Sequence, residues 1–231
     1  MSSPTSAPER AWSPQPSIEI VGAASHPLAL APLLNFSARI TEPEGREVYT
    51  IALTCQVNVD PARRTYDAAT RRALIDLFGE PERWGATARS FMWTKVDVLV
   101  KSFAGTQIFD IPVACTFDTE LAAVKYFYSL PDGEVPLSFM FSGSIFYRGD
   151  SGELRLVQVP WSCDARYSLP VDVWRKMIDR VYPNRAWVAV QRETLESLRL
   201  YQQRTGLPSF DETVAELIAE AEQRTETARG L

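Results

Sequence analysis

A chain of 231 residues, 45% of them hydrophobic, fits one large β domain with a helical appendage, or one domain of about 150 residues plus a small one, and either way has the material for a real core. Its net charge of −5 leaves no basic footprint for nucleic acid, and no apolar run reaches the length of a bilayer span. With no charged-then-apolar leader at the N-terminus either, the expected location is the cytoplasm, without membrane insertion.

Residues 1–16 are rich in Pro, Ser and Ala and are expected to form a disordered tail, with Trp12 its one large apolar side chain. Ile18 and Ile20 mark a short first strand, and Leu34, Phe36, Ala38 and Ile40 alternate with polar residues in a second. Pro43-Glu-Gly45 then turns the chain, as in a hairpin, into its longest strand, Glu47 to Val59. There Tyr49, Ile51, Leu53, Cys55, Val57 and Val59 share one face, opposite Thr50, Thr54, Gln56 and Asn58. Asp67 is placed to cap a helix that ends before Gly79, and a turn-rich segment carrying Phe78 and Trp84 follows.

Two more alternating runs, Phe91 to Lys101 and Gln107 to Phe117, flank Gly105 and suggest a second hairpin. Asp118 to Leu130 fits either a helix or a strand; the strand is favoured because Pro131-Asp-Gly133 turns directly into another alternating run, Val135 to Tyr147. Gly143, inside that run, marks a bulge or a close backbone approach. Leu154 to Val159 ends the sheet. Helical spacing then begins, with Val171, Trp174, Met177, Ile178 and Val181 on one stripe. A second helix carries Leu195, Leu198 and Tyr201. A third opens on the capping box Ser209-Phe-Asp-Glu212 and is expected to bury Val214, Leu217, Ile218 and Ala221.

Short strands at even spacing, joined mostly by turns, indicate a mainly β fold, α+β overall: an antiparallel two-sheet β-sandwich or partly closed barrel with an inserted short helix and a C-terminal helical extension. The expected division is a tail over 1–16, the β domain over 17–168, a helical extension packed on it over 169–222, and a frayed end over 223–231.

Chemistry is sparse. Cys55, Cys115 and Cys163 are far apart, with no C-x-x-C pair, which supports neither a zinc site nor a disulfide framework. His26 is the only histidine, so no Ser-His or Cys-His couple can be assembled, and no phosphate-cradling glycine loop is present. No catalytic residue, cofactor site or metal site is expected. The pairs Glu80/Glu82 and Asp118/Glu120 leave one enzymatic hypothesis, acid–base work by two carboxylates across a cleft, against the plainer account of solvated turn residues. A binding role fits the aromatic content of 11% better, with Trp84, Trp93, Tyr126, Tyr128 and Trp161 as candidate contact residues. The alternatives are a small-molecule or lipid binding module using the apolar interior, and burial of those same rings in the core.

The segments Leu77-Phe-Gly-Glu-Pro-Glu-Arg-Trp-Gly85, Phe91-Met-Trp-Thr94, Val113-Ala-Cys-Thr-Phe-Asp118, Asp132-Gly-Glu-Val-Pro-Leu137, Phe141-Ser-Gly143, Val159-Pro-Trp161 and Leu169-Pro-Val171 carry a resemblance. Together they resemble an uncharacterised bacterial family, chiefly from high-GC Gram-positives, encoded near genes for nickel–iron hydrogenases and their maturation factors. The likeness covers about residues 17 to 220. It supplies no catalytic or ligand-binding residue to carry over. What it implies is a non-enzymatic accessory, assembly or scaffold protein whose partner is a hydrogenase subunit or maturation factor, by gene neighbourhood alone. A homodimer through edge strands or the C-terminal helices is also expected to be open to this chain.

Overall fold

The computed structural model describes residues 12–116, 121–185, 188 and 190–229. The chain divides after Arg185 into two compact units, Met1–Arg185 and Ala186–Leu231.

In chain order the first unit contains strands β1 (Ser17–Ser25), β2 (Leu33–Thr41) and β3 (Glu47–Val59), then short helices α1 (Ala68–Ala73), α2 (Ile75–Phe78) and α3 (Trp84–Thr87). Strands β4 (Phe91–Val100), β5 (Phe103–Ala104) and β6 (Thr106–Ala114), helix α4 (Leu121–Ser129), strands β7 (Glu134–Arg148), β8 (Leu154–Gln158) and β9 (Ala165–Pro170), and helix α5 (Val171–Val181) complete it. Two antiparallel sheets result, not closed into a barrel. One has the order β1-β2-β6; the other has the order β4-β3-β7-β8, with β5 also on β3 and β9 also on β7.

β3 is an interior strand of the larger sheet, paired with β4 on one edge and β7 on the other, and its Ile51, Leu53, Cys55, Val57 and Val59 are buried on one face. Phe36 of β2 meets Trp93 of β4, Phe139 of β7 and Tyr167 of β9 edge-on, at ring distances of 6.2, 5.1 and 6.0 Å. These contacts are the sandwich core. Tyr49 departs from the expected inward face. A register shift opposite β7 lies between Val48 and Thr50, so Val48 takes the buried place and Tyr49 turns out to solvent.

Neither expected hairpin forms. β2 pairs with β1 and β6, whereas β3 lies in the other sheet; likewise β4 pairs with β3 and β6 with β2. The turns at Pro43–Gly45 and at Gly105 are crossings from one sheet to the other. They run together: the Glu42 N–H donates to the Gly105 carbonyl at 2.7 Å, and the buried Glu42 carboxylate accepts the Arg46 N–H at 3.0 Å. A Pro-Glu-Gly turn signals reversal of the chain but does not say whether the next strand stays in the same sheet.

The favoured strand over Asp118–Leu130 is also overturned, since Leu121–Ser129 is helical and residues 117–120 lie outside the described residues. Ala123, Tyr126, Phe127 and Leu130 are buried at helical spacing, while Tyr128, which an alternating strand would turn inward beside Tyr126, is 39% exposed. β9 was not anticipated. It is short and follows Pro160, yet Ala165 and Leu169 are buried beside β7. Helix α1 follows its expected cap, with the Asp67 carboxylate accepting the Thr70 N–H at 2.7 Å.

Residues 12–16 are packed, against the expectation for the whole tail; residues 1–11 lie outside the described residues. Pro14 and Pro16 are buried, Trp12 meets Tyr147 edge-on at 5.2 Å, and the Arg46 guanidinium sits 4.1 Å from the Trp12 ring centre. The Cys163 thiol donates to the Pro16 carbonyl at 3.0 Å.

The expected helical extension is divided. Helix α5 belongs to the first unit, where Val171, Trp174, Met177 and Ile178 are buried. The second unit contains helices α6 (Arg192–Thr205) and α7 (Phe210–Arg229), an antiparallel-type hairpin about Gly206, whose φ of +73° closes α6. The Glu212 N–H donates to Ser209 Oγ at 3.1 Å, as the capping box predicts, and α7 runs from Phe210 to Arg229.

Candidate interaction surface

The candidate contact aromatics separate by burial. Trp93 and Tyr126 are core residues, at 5% and 0% exposure, which corrects their reading as surface anchors. Tyr126 sits where α4, β4 and the 61–89 segment converge. Its hydroxyl lies 2.6 Å from that of Tyr66, which donates to the Pro61 carbonyl at 2.8 Å, so Tyr126 supplies the proton of the pair. Burial pushes the phenol of Tyr126 above its ordinary value, and its donation to Tyr66 pushes the same way. Trp84 is half-buried over Tyr66 and Phe78, with its indole N–H donating to the Gly79 carbonyl at 2.8 Å. Tyr128 leans edge-on against Trp174, 5.0 Å away. Of the five, Trp161 reaches solvent most fully, on the turn between β8 and β9.

Arg64 ties this aromatic region to the next turn. Its guanidinium donates to the Asp132 carbonyl at 2.6 Å and the Glu134 carbonyl at 2.8 Å, and Arg175 of α5 donates to the Leu130 carbonyl at the end of α4. These are structural clamps on backbone oxygens.

The other candidate chemistry is dispersed. Glu80 and Glu82 are exposed on a turn, and Asp118 and Glu120 lie outside the described residues. His26 Nδ1 accepts the Leu28 N–H at 3.3 Å within its own loop. Cys55, Cys115 and Cys163 are buried free thiols; desolvation pushes the first two up to about 12 and Cys163 to about 11. Among the described residues no group of three or more His, Cys, Asp and Glu side chains is gathered as a metal would require. No helix among them is long and apolar enough to cross a membrane.

The outer face of the larger sheet is polar at its centre. Thr54 donates to Asp97 at 2.6 Å and Gln56 to Asn58 at 3.1 Å, and beside them a cleft of about 480 Å³ opens between Ser138, Met140, Asp164 and Arg166. One Asp164 oxygen accepts the Phe141 N–H at 3.1 Å.

The second unit also leaves apolar side chains bare. Tyr201 of α6 donates to Glu220 of α7 at 3.1 Å, so the stripe of Thr213, Leu217 and Glu220 lies on the side of α6. The adjoining stripe, Phe210, Val214, Ile218 and Ala221, faces away. Its members Phe210, Val214 and Ile218 are 38%, 41% and 54% exposed and Ala221 is exposed as well, which corrects the expected burial of Val214, Ile218 and Ala221. Among the described residues of this unit Thr213 is buried, and Leu195, Leu198 and Leu217 are half-covered. Helices of this length draw most of their stability from a covered apolar face. This hairpin instead leaves an apolar stripe exposed. The spacing of 210, 214, 218 and 221 is visible in the sequence; its exposure is not.

Solved structures with some likeness to this chain are remote. A late embryogenesis abundant protein is 9% identical, with 67% of this chain and 70% of that one covered and a TM-score of 0.31. The ApaA protein of Bordetella pertussis is 8% identical over 68% and 93% of the two chains, with a TM-score of 0.23. A β-glucosidase from Kluyveromyces marxianus is 7% identical with a TM-score of 0.26, and the likeness spans 68% of this chain but 15% of that enzyme. At these scores none bears on function, and no curated protein matches. A family profile does match, over residues 13–226, nearly the whole chain. By that match the chain belongs to DUF6084, a family of unknown function.

Proposed function

We propose that this protein is a non-enzymatic accessory or assembly protein that acts by protein–protein contact. The observation that carries this reading is the bare apolar stripe Phe210–Val214–Ile218 on a helical hairpin that covers little of its own surface. The resemblance to a family encoded beside nickel–iron hydrogenases gives the partner class, a hydrogenase subunit or maturation factor. Burial of all three thiols favours contact over metal delivery, because a donor needs reachable ligands.

The test is a tagged full-length chain expressed at native level under hydrogenase-inducing conditions. Stoichiometric recovery of a hydrogenase subunit or maturation factor is expected. Recovery of the tagged chain alone would overturn the proposal.

A second reading, a small-molecule binding β module, is favoured by the cleft between Ser138, Met140, Asp164 and Arg166. The space between the sheets, the seat first expected for such a ligand, is filled by Phe36, Trp93 and Phe139. Native mass spectrometry of freshly purified protein tests this alternative, which predicts a bound mass released on denaturation.

A further inference from the structure

We infer that the bare stripe of α7 is the docking surface for a basic amphipathic helix of another protein. This deepens the protein-contact reading and rests on it. The occupant is argued from geometry and charge. At 100° per residue Phe210, Val214, Ile218 and Ala221 form one apolar line along the helix, and the flank of that line away from α6 carries Asp211, Glu222 and Glu226, all exposed. On the other flank Glu220 is already engaged by Tyr201 and Arg224. By helical angle Arg229, the last residue of α7, falls on the same flank, so the open side carries three acidic positions and one basic one and is net negative. A helix laid into it gains apolar burial from its own stripe, and gains further if Lys or Arg stands at its edge over Asp211, Glu222 and Glu226.

A second copy is a poorer occupant. Two α7 helices packed by this stripe about a two-fold axis would bring their acidic flanks together, and like charges across an interface cost affinity. The α6 helix offers Leu200 as its most exposed apolar side chain, too little to complete such a bundle.

The experiment uses the full-length protein and two labelled synthetic helices of about five turns. Both have the same leucine stripe; one is flanked by Lys and the other by Glu. In fluorescence anisotropy the Lys-flanked helix is expected to bind at least about tenfold more tightly than the Glu-flanked one, and more weakly as salt rises. The variant V214D/I218D alters two exposed positions, so its far-UV circular dichroism should stay as in the parent. It adds two negative charges, so a purely electrostatic contact would tighten. The inference instead expects affinity to fall at least about tenfold.

No binding, equal binding of the two helices, or unchanged binding by V214D/I218D would each overturn the inference. So would a parent protein that sediments as a dimer and becomes monomeric in V214D/I218D, because the stripe would then be occupied by a second copy. In the native-host capture described above, a partner retained equally by parent and V214D/I218D would overturn this surface while leaving the contact function standing; no partner with either would remove both.

Discussion

Replacing Gly143 by Ala should be among the most damaging single-atom-scale changes available to the sandwich. Gly143 stands opposite Leu53 in the β7–β3 pairing, with φ of +135°, a conformation that L side chains rarely adopt. A Cβ built there falls 2.0 Å from the Ala52 carbonyl oxygen, short of the 3.4 Å at which ordinary contact begins. The obstacle is backbone of an interior strand, which cannot swing aside as a flexible side chain could. The unfavourable conformation costs about 1–3 kcal/mol and the forced separation of β3 from β7 about 1–3 more. For a chain of this size, about 4 kcal/mol lowers Tm by roughly 8–16 °C.

The control is Gly152→Ala. Gly152 also has positive φ, +83°, but nothing lies within 4 Å of the place its methyl would take, so about 1–2 kcal/mol is expected. Urea unfolding followed by tryptophan fluorescence compares the two variants directly. Equal losses would refute the close-approach argument and leave backbone conformation as the sole cost.

Tyr126→Phe removes one buried hydroxyl contact and should cost about 1 kcal/mol, whereas Tyr126→Ala should cost about 3–5 kcal/mol by opening a cavity among the rings; chemical denaturation of both separates the terms. Arg64→Ala should cost about 1–3 kcal/mol, read as a shift in urea midpoint, because the carbonyls of Asp132 and Glu134 lose charged donors. Stability should fall as pH rises above about 9. The thiols of Cys55, Cys115 and Cys163 ionise near 9.0 when unfolded but only at about 12, 12 and 11 when folded, so the unfolded state binds fewer protons in between and each thiol contributes a slope of about −1.4 kcal/mol per pH unit. Denaturation midpoints at pH 8, 9 and 10 check this, and a flat profile would contradict the burial of these groups.

The β content and the inward face of β3 from Ile51 onward were legible because a long alternating run has one physical meaning. The helix over Leu121–Ser129 was harder, since Tyr126, Phe127 and Tyr128 in succession satisfy both periodicities until it is known which ring is exposed. Sheet membership was not legible at all: Pro43–Gly45 and Gly105 carry the same turn chemistry in a hairpin as in a crossing between sheets. For the candidate surface, the sequence showed an amphipathic α7. Which half of its apolar face α6 would cover depended on the Tyr201–Glu220 bond, a contact between helices that no local pattern encodes. Trp93 and Tyr126 were misjudged as anchors for a related reason, because an aromatic on a strand or helix reads alike whether its face is inside or out.

The two crossings between sheets also bear on how the chain reaches its fold. Leu33 pairs with Ala114 and Val48 with Tyr147, so β2 and β3 must wait for distant partners before their edges are satisfied. Such a topology has high contact order, and folding on the millisecond-to-second scale is expected of it. During synthesis the Val48–Val59 strand leaves the ribosome long before β7 exists to pair with it. Until Arg148 has emerged, that run of Ile, Leu, Cys and Val is a nascent-chain liability, and chaperone demand should peak in that interval.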